Sequence, residues 1–199
     1  MVNYGKWLLV TISLVTLSLF GCATYHNKYQ NYQAKSQQEK LSKVTSWSFG
    51  GVLSVINQHQ SEVVYFNWRQ HHDDYLINLS GPMNLNWTSL IGNKKLVKVC
   101  RRQKCSESKF TDQWLNENFG LSIKAINLRY WIFGVPVPEL EVQEAIYDSY
   151  GRLVKFIQGG WQIKVSEFRL LAIGETPRVL ELTNKETRIK IKINSCKVN

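Results

Sequence analysis

The residues able to do chemistry in this 199-residue chain are few. His71-His72-Asp73-Asp74 has the residue types of a metal site or an acid–base pair. Neighbouring side chains on an extended strand point to opposite faces, so the run does not converge on one ion and reads as a solvated hairpin turn. His26 falls in a polar segment and His59 in another turn. Glu139, Glu141 and Glu144 read as surface charge near a helix end. No G-x-S-x-G elbow, H-E-x-x-H pair or phosphate loop occurs, so nothing in the sequence selects a reaction, a metal or a cofactor. The spacing of Cys100 and Cys105 fits a bridge across a short hairpin tip, which an oxidising compartment permits. Cys196 is then left over, and a metal site lacks paired histidines to go with it.

Cys22 is different. Lys6 precedes an uncharged apolar and small-residue run, Trp7 to Phe20, which ends in Leu19-Phe20-Gly21-Cys22. The run is shorter than the ~20 apolar residues that span a bilayer. Small residues before a cut let the chain lie extended in a peptidase groove, and a cysteine just after it offers a thiolate to a diacylglyceryl group. The pattern resembles a bacterial lipobox, so residues 1–21 are expected to be a lipoprotein signal peptide and Cys22 the lipidated residue. Ala23 stands where, in such lipoproteins, an aspartate tends to retain the protein in the inner membrane; the expected destination is the outer membrane.

The net charge is +10, and cleavage after Gly21 removes one lysine to leave +9 on the remaining residues. Basic charge with seven tryptophans would suit nucleic acid, but export excludes that partner and makes anionic lipid headgroups the natural counter-charge.

Three kinds of segment must position these residues. Residues 22–35 are a polar tether, and residues 36–199 are read as one domain. Ser36 to Val44 has good helix formers and no breaker. From Trp47 the period changes to two, with Trp47, Phe49, Gly51, Leu53 and Val55 alternating with polar or small residues. Runs around Val64-Phe66-Trp68, Tyr75-Ile77-Leu79, Leu85 to Ile91 and Leu96 to Cys100 follow, separated by turns, as in an antiparallel meander. The middle is helical: Phe110 to Phe119, stopped by Gly120, then Ser122 to Gly134 with Ser122 as N-cap, ended by Val135-Pro136-Val137-Pro138. Strands resume over Glu141–Tyr150, Arg152–Gln158, Trp161–Val165, Val179–Leu182 and Ile189–Ile193. The fold class is mainly β with helices (α+β): a sheet of about ten or eleven antiparallel strands, which must curl to cover its apolar face. Helices inserted mid-chain can plug the concave side, and an incompletely filled concavity would be a lipid-sized apolar pocket. Met83, after Gly81-Pro82, either fills a core gap or forms an apolar loop tip that serves binding.

The ordered set Trp47-Ser48-Phe49-Gly50-Gly51, Phe66-Asn67-Trp68, Leu79-Ser80-Gly81-Pro82-Met83, Trp131-Ile132-Phe133-Gly134-Val135-Pro136, Gly160-Trp161 and Ile189-Lys190-Ile191-Lys192-Ile193, behind a lipobox, resembles the LolB family of outer-membrane lipoprotein receptors. The resemblance covers most of the mature chain. It implies an open, curved half-barrel with helices on its concave face. It implies a non-enzymatic, monomeric protein, lipid-anchored in the outer membrane and facing the periplasm. Such a receptor accepts lipoproteins from a LolA-like periplasmic carrier and inserts them into the inner leaflet of the outer membrane. Pro82 and Met83 match a membrane-insertion loop, with Met where leucine is usual and Asn84 where glycine is usual. Trp68, Trp131 and Trp161 match an acyl-binding cavity for client acyl chains. A lipid-anchored envelope hydrolase and a structural outer-membrane assembly lipoprotein are the competing roles.

Overall fold

The computed structural model describes residues 35–198, apart from 59, 85–86, 94, 103 and 109–110. The signal segment, Cys22 and nearly all of the tether lie outside the described residues, as do Leu85 and Phe110.

A helix over 35–42 (α1) precedes the sheet. Six strands follow as a meander: β1 (Ser46–Ile56), β2 (Ser61–His71), β3 (Asp74–Ser80), β4 (Thr88–Gly92), β5 (Val97–Arg101) and β6 (Lys104–Ser108). Helices α2 (Thr111–Phe119) and α3 (Ala125–Trp131) come next. A second meander completes the chain: β7 (Glu144–Tyr147), β8 (Leu153–Gln158), β9 (Trp161–Leu171), β10 (Gly174–Thr183) and β11 (Arg188–Val198). All eleven strands form one antiparallel sheet in the order β6-β5-β4-β3-β2-β1-β11-β10-β9-β8-β7. The two meanders join where β1 pairs with β11. Strands β6 and β7 are the two edges; they do not pair, so the half-barrel is open.

Two differences between sequence and structure are instructive. Lys104–Ser108 is a strand in its own right, paired with β5 and tied to it by a Cys100–Cys105 disulfide. It has no apolar alternation to announce it, because as an edge strand it has little to bury. The second helix begins at Ala125 rather than after Ser122. Its first turn is capped from outside: the Asp112 carboxylate of α2 accepts the Ala125 N–H at 2.6 Å. The expected stop after α2 is Gly120, whose φ of 62° is a left-handed conformation that suits glycine.

The curl has local causes. The β1–β11 register shifts between Gly50 and Gly51, leaving Asn194 as an extra residue on β11. A bulge of this kind bends a strand and increases its twist. A Cβ at Gly51 would lie 2.1 Å from the Lys192 carbonyl oxygen, so only glycine allows the two backbones this close. Further register shifts around Pro177–Leu180 bend β10 against β9.

Within the concavity, Trp47, Phe49, Trp68 and Phe133 form an aromatic cluster, with Trp47 ring centroids 4.9–5.4 Å from its three partners. Gln158 is fully buried in β8 and fully satisfied. Its Oε1 accepts from Trp131 Nε1 at 3.0 Å and from the Val137 N–H at 2.8 Å, and its Nε2 donates to the Val137 and Leu140 carbonyls. One amide thus ties the end of α3 and the loop after it to the sheet. Replacing it by leucine keeps the volume and strands four polar groups, each costing ~1–3 kcal/mol when buried without a partner. Gln158→Leu is therefore expected to lower stability by about 3 kcal/mol or more, read as a shift in the urea midpoint of the circular dichroism signal.

Candidate functional site

The period-two pattern sets one face of each strand inward. Leu53 and Val55 of β1, Val64, Phe66 and Trp68 of β2, Ile77 and Leu79 of β3, Leu90 of β4, and Ile189 and Ile191 of β11 line a single concave wall. The helices form the opposite wall with side chains at helical i, i+4 spacing: Leu115 and Phe119 on α2, Leu128 on α3 and then Ile132 just past its end. Between the walls is a cavity of about 100 Å³ in which, among the described residues, Thr111 is the one polar lining residue. Water needs two or more polar partners to settle in such a space, so this lining offers it no ordered site.

Polar groups hold the lid at one end. Arg129 of α3 pairs with Asp73 in the β2–β3 turn at 3.5 Å, and the Tyr75 hydroxyl bonds to Thr111 at the start of α2. Burial pushes the Tyr75 phenol above its usual value; the Thr111 bond works against this and the Asp112 carboxylate adds to it, so the group stays neutral. Around these contacts lies a depression of about 310 Å³ lined by Gln70, Asp73, Asp112 and Arg129, which shares Trp68, Ile77, Thr111 and Ala125 with the apolar cavity. The turn residues His71 to Asp74 thus include one that latches the lid. His71 and His72 stack edge to face, 4.6 Å apart. Among the described residues no group of three His, Cys, Asp or Glu side chains could hold a metal.

The opposite end is open. There, Pro82, Trp87, Arg101, Arg102 and Trp114 line a depression of about 860 Å³ that shares Val64, Leu79 and Phe119 with the cavity. Pro82–Asn84 forms a single 3-10 turn beside it, and Met83 at its centre has φ 59° and is 91% exposed. An apolar side chain held in a left-handed backbone and bared to solvent is strained and unburied at once, a combination that points to use rather than packing.

The three tryptophans read as cavity residues do not come together. Trp68 is on the wall, its Nε1 donating to Gln70. Trp131 and Trp161 are not among the side chains lining this cavity; both are buried in the core, bonded to Gln158 and to the Ser122 carbonyl. Both indole N–H groups thus find their acceptors outside the apolar gap, as a buried indole usually does. The wall residues passed over, such as Phe66, Leu90 and Leu128, carried only the alternation common to every inward position.

The family model for outer membrane lipoprotein LolB matches residues 45–195. Outer-membrane lipoprotein LolB of Coxiella burnetii is 25% identical over 189 residues, covering 92% of this chain and 89% of the relative. Its counterpart in Nitrosococcus oceani is 26% identical over 197 residues, with 95% and 97% covered. Among solved structures, a LolA-superfamily protein of Nitrosomonas europaea superposes with a TM-score of 0.56 at 9% identity, over 83% of this chain and 93% of the other. An outer membrane lipoprotein-sorting protein domain from Vibrio parahaemolyticus, a putative one by its description, gives 0.53 at 6%, over 86% and 93%. These structural likenesses bear on the fold: an open curved sheet with helices set against it.

An apolar cavity takes small apolar guests. Benzene should raise the melting temperature of the protein, and Leu128→Phe, which fills the space from α3, should remove that rise; calorimetry with and without benzene reads both.

Proposed function

Since the chain belongs to the LolB family, we propose that it is an outer-membrane lipoprotein receptor, taking lipoproteins from a LolA-like periplasmic carrier and inserting them into the inner leaflet of the outer membrane. The observation that carries this reading is the apolar cavity between the helical lid and the open sheet, continuous with the end that presents Met83. Client acyl chains enter that cavity. Its present volume holds only their first few carbons, so α2 and the start of α3 move outward on loading while Gln158 keeps the end of α3 on the sheet. The polar latches allow this, because Arg129–Asp73 and Tyr75–Thr111 exchange protein partners for water at small cost, whereas an interdigitated apolar lid would resist.

No reaction is required. Acyl chains pass from one apolar environment to the next, and direction comes from differences in affinity. The protein works as a monomer, without catalysis or a cofactor. Cys22 carries the lipid, and the domain hangs on the tether that follows it, facing the periplasm. Among the described residues no helix is long and apolar enough to cross a membrane.

Helix α1 and the Met83 turn lie at opposite ends of the sheet. Helix α1 lies by the β9–β10 turn, where Gln37 donates to the Ile173 carbonyl, whereas Met83 follows the far end of β3. An eleven-residue strand such as β1 is about 36 Å long at ~3.3 Å per residue. The residues between Cys22 and α1 span at most about 45 Å at ~3.3–3.6 Å each. A tether of that reach would let anchor and turn meet one bilayer surface.

Met83 inserts at the bilayer interface. Burying one such side chain contributes about 1.5–3 kcal/mol, enough to bias delivery without holding the protein down. Met83→Glu should abolish delivery of a lipoprotein to outer-membrane vesicles while leaving acceptance from the carrier intact, since a carboxylate resists entering lipid. At 91% exposure the same change should alter stability by less than about 0.5 kcal/mol. A transfer assay paired with thermal melts reads both; a large fall in melting temperature would count against the loop reading. Depletion in the native cell should strand other lipoproteins on the soluble carrier, an outcome that neither an envelope hydrolase nor a structural lipoprotein produces.

A further inference from the structure

We propose that the disulfide-clamped tip of the β5–β6 hairpin is a second membrane-contact element, a cationic clamp for the anionic headgroups of a phospholipid bilayer. The inference rests on the reading that Met83 faces a membrane, and adds to it a separate surface with separate chemistry.

The register places the parts. Thr88 pairs with Arg101 across β4 and β5, so Trp87 and Arg102 flank the last pair of that ladder. Pro82, Trp87, Arg101 and Arg102 line the same open depression of about 860 Å³. Arg101, Arg102 and Lys104 are all exposed, and among the described residues Glu62 is the one acidic side chain lining that depression. Arg101 is oriented from below, donating to Asn118 Oδ1 and lying 5.6 Å from the Trp114 ring centroid.

Two features make the tip a presented surface. Cys100 and Cys105 face each other across the hairpin and are bonded, which fixes the tip where no core exists to do so. Arg102, between them, has φ 44°, a conformation that few arginines hold without support. Beside it Trp87 is 48% exposed, its Nε1 donating to Ser89 Oγ. An indole with an apolar body and a bonded N–H suits the headgroup level of a bilayer. The end of the sheet that bears the bare methionine thus also bears a half-exposed tryptophan and three cations on a rigid support. Apolar insertion alone does not call for the cations; a negatively charged membrane surface calls for all three parts.

The test uses the mature chain with Cys22→Ser, so that no acyl group anchors it, and vesicles of pure phosphatidylcholine or of phosphatidylcholine and phosphatidylglycerol in equal parts. Binding by sedimentation should be at least about tenfold tighter to the mixed vesicles and should weaken with added salt. Arg102→Gln with Lys104→Gln should lose roughly twentyfold on mixed vesicles and change little on neutral ones. Lys190→Gln with Lys192→Gln, on the convex face of β11, should bind as the parent does. Reducing the disulfide should weaken mixed-vesicle binding without unfolding the domain, followed by circular dichroism. Failure of the Met83 reading looks different: Met83→Glu would bind both vesicle types as the parent does, with the charge effect intact. The proposal is overturned if the Arg102–Lys104 variant binds mixed vesicles like the parent. It is equally overturned if that variant loses only acceptance from the carrier, which would make the tip a protein contact.

Discussion

The sheet does not close, and the remaining features answer to that. With β6 and β7 as unpaired edges, the concave face of eleven strands would stand open to water. The segment joining those edges, with α2 and α3 in it, must cross from one side of the sheet to the other, and it crosses over the apolar concavity. A closed barrel would bury this face with its own strands and leave the helices nothing to cover. Here the lid comes from a different part of the chain than the wall, so lid and wall can separate without breaking a strand pairing.

The cover is fastened by polar contacts at its margins. Gln158 holds the end of α3 and the loop beyond it, Asp112 caps α3 from α2, and Arg129–Asp73 and Tyr75–Thr111 close one end. Between these points the apolar side chains of lid and wall do not fill the space. A protein selected for stability alone would fill it with a larger side chain at Leu115 or Leu128. An apolar gap left between lid and wall agrees with an outer-membrane lipoprotein receptor.

The two ends of the sheet differ in character. One carries α1 and the latched edge of the lid. The other carries the Met83 turn and a stapled cationic hairpin tip. This polarity follows from topology: in an antiparallel meander alternate turns gather at the same end, so β3–β4 and β5–β6 are neighbours although some twenty residues separate them in the chain.

Much of this architecture is legible in the amino-acid sequence. Strict alternation in Trp47–Val55 and Ile189–Ile193 names inward and outward faces, because a side-chain period of two has a single solution when one face is apolar. Gly120 and the Pro-rich run after Phe133 bound the helices, and the Cys100–Cys105 spacing indicates a hairpin tip. Pro82-Met83 marks a loop but leaves open whether the methionine points in or out; its left-handed backbone and exposure decide that. The choice among tryptophans is not legible. Trp68, Trp131 and Trp161 look alike as inward aromatics, and only their places in the sheet and lid separate the one that faces the gap from the two that pack behind it. The sixth strand and the cap on α3 are hidden for a related reason. Each depends on a partner supplied by another element, and local pattern carries information about a residue's own face but none about what stands opposite it.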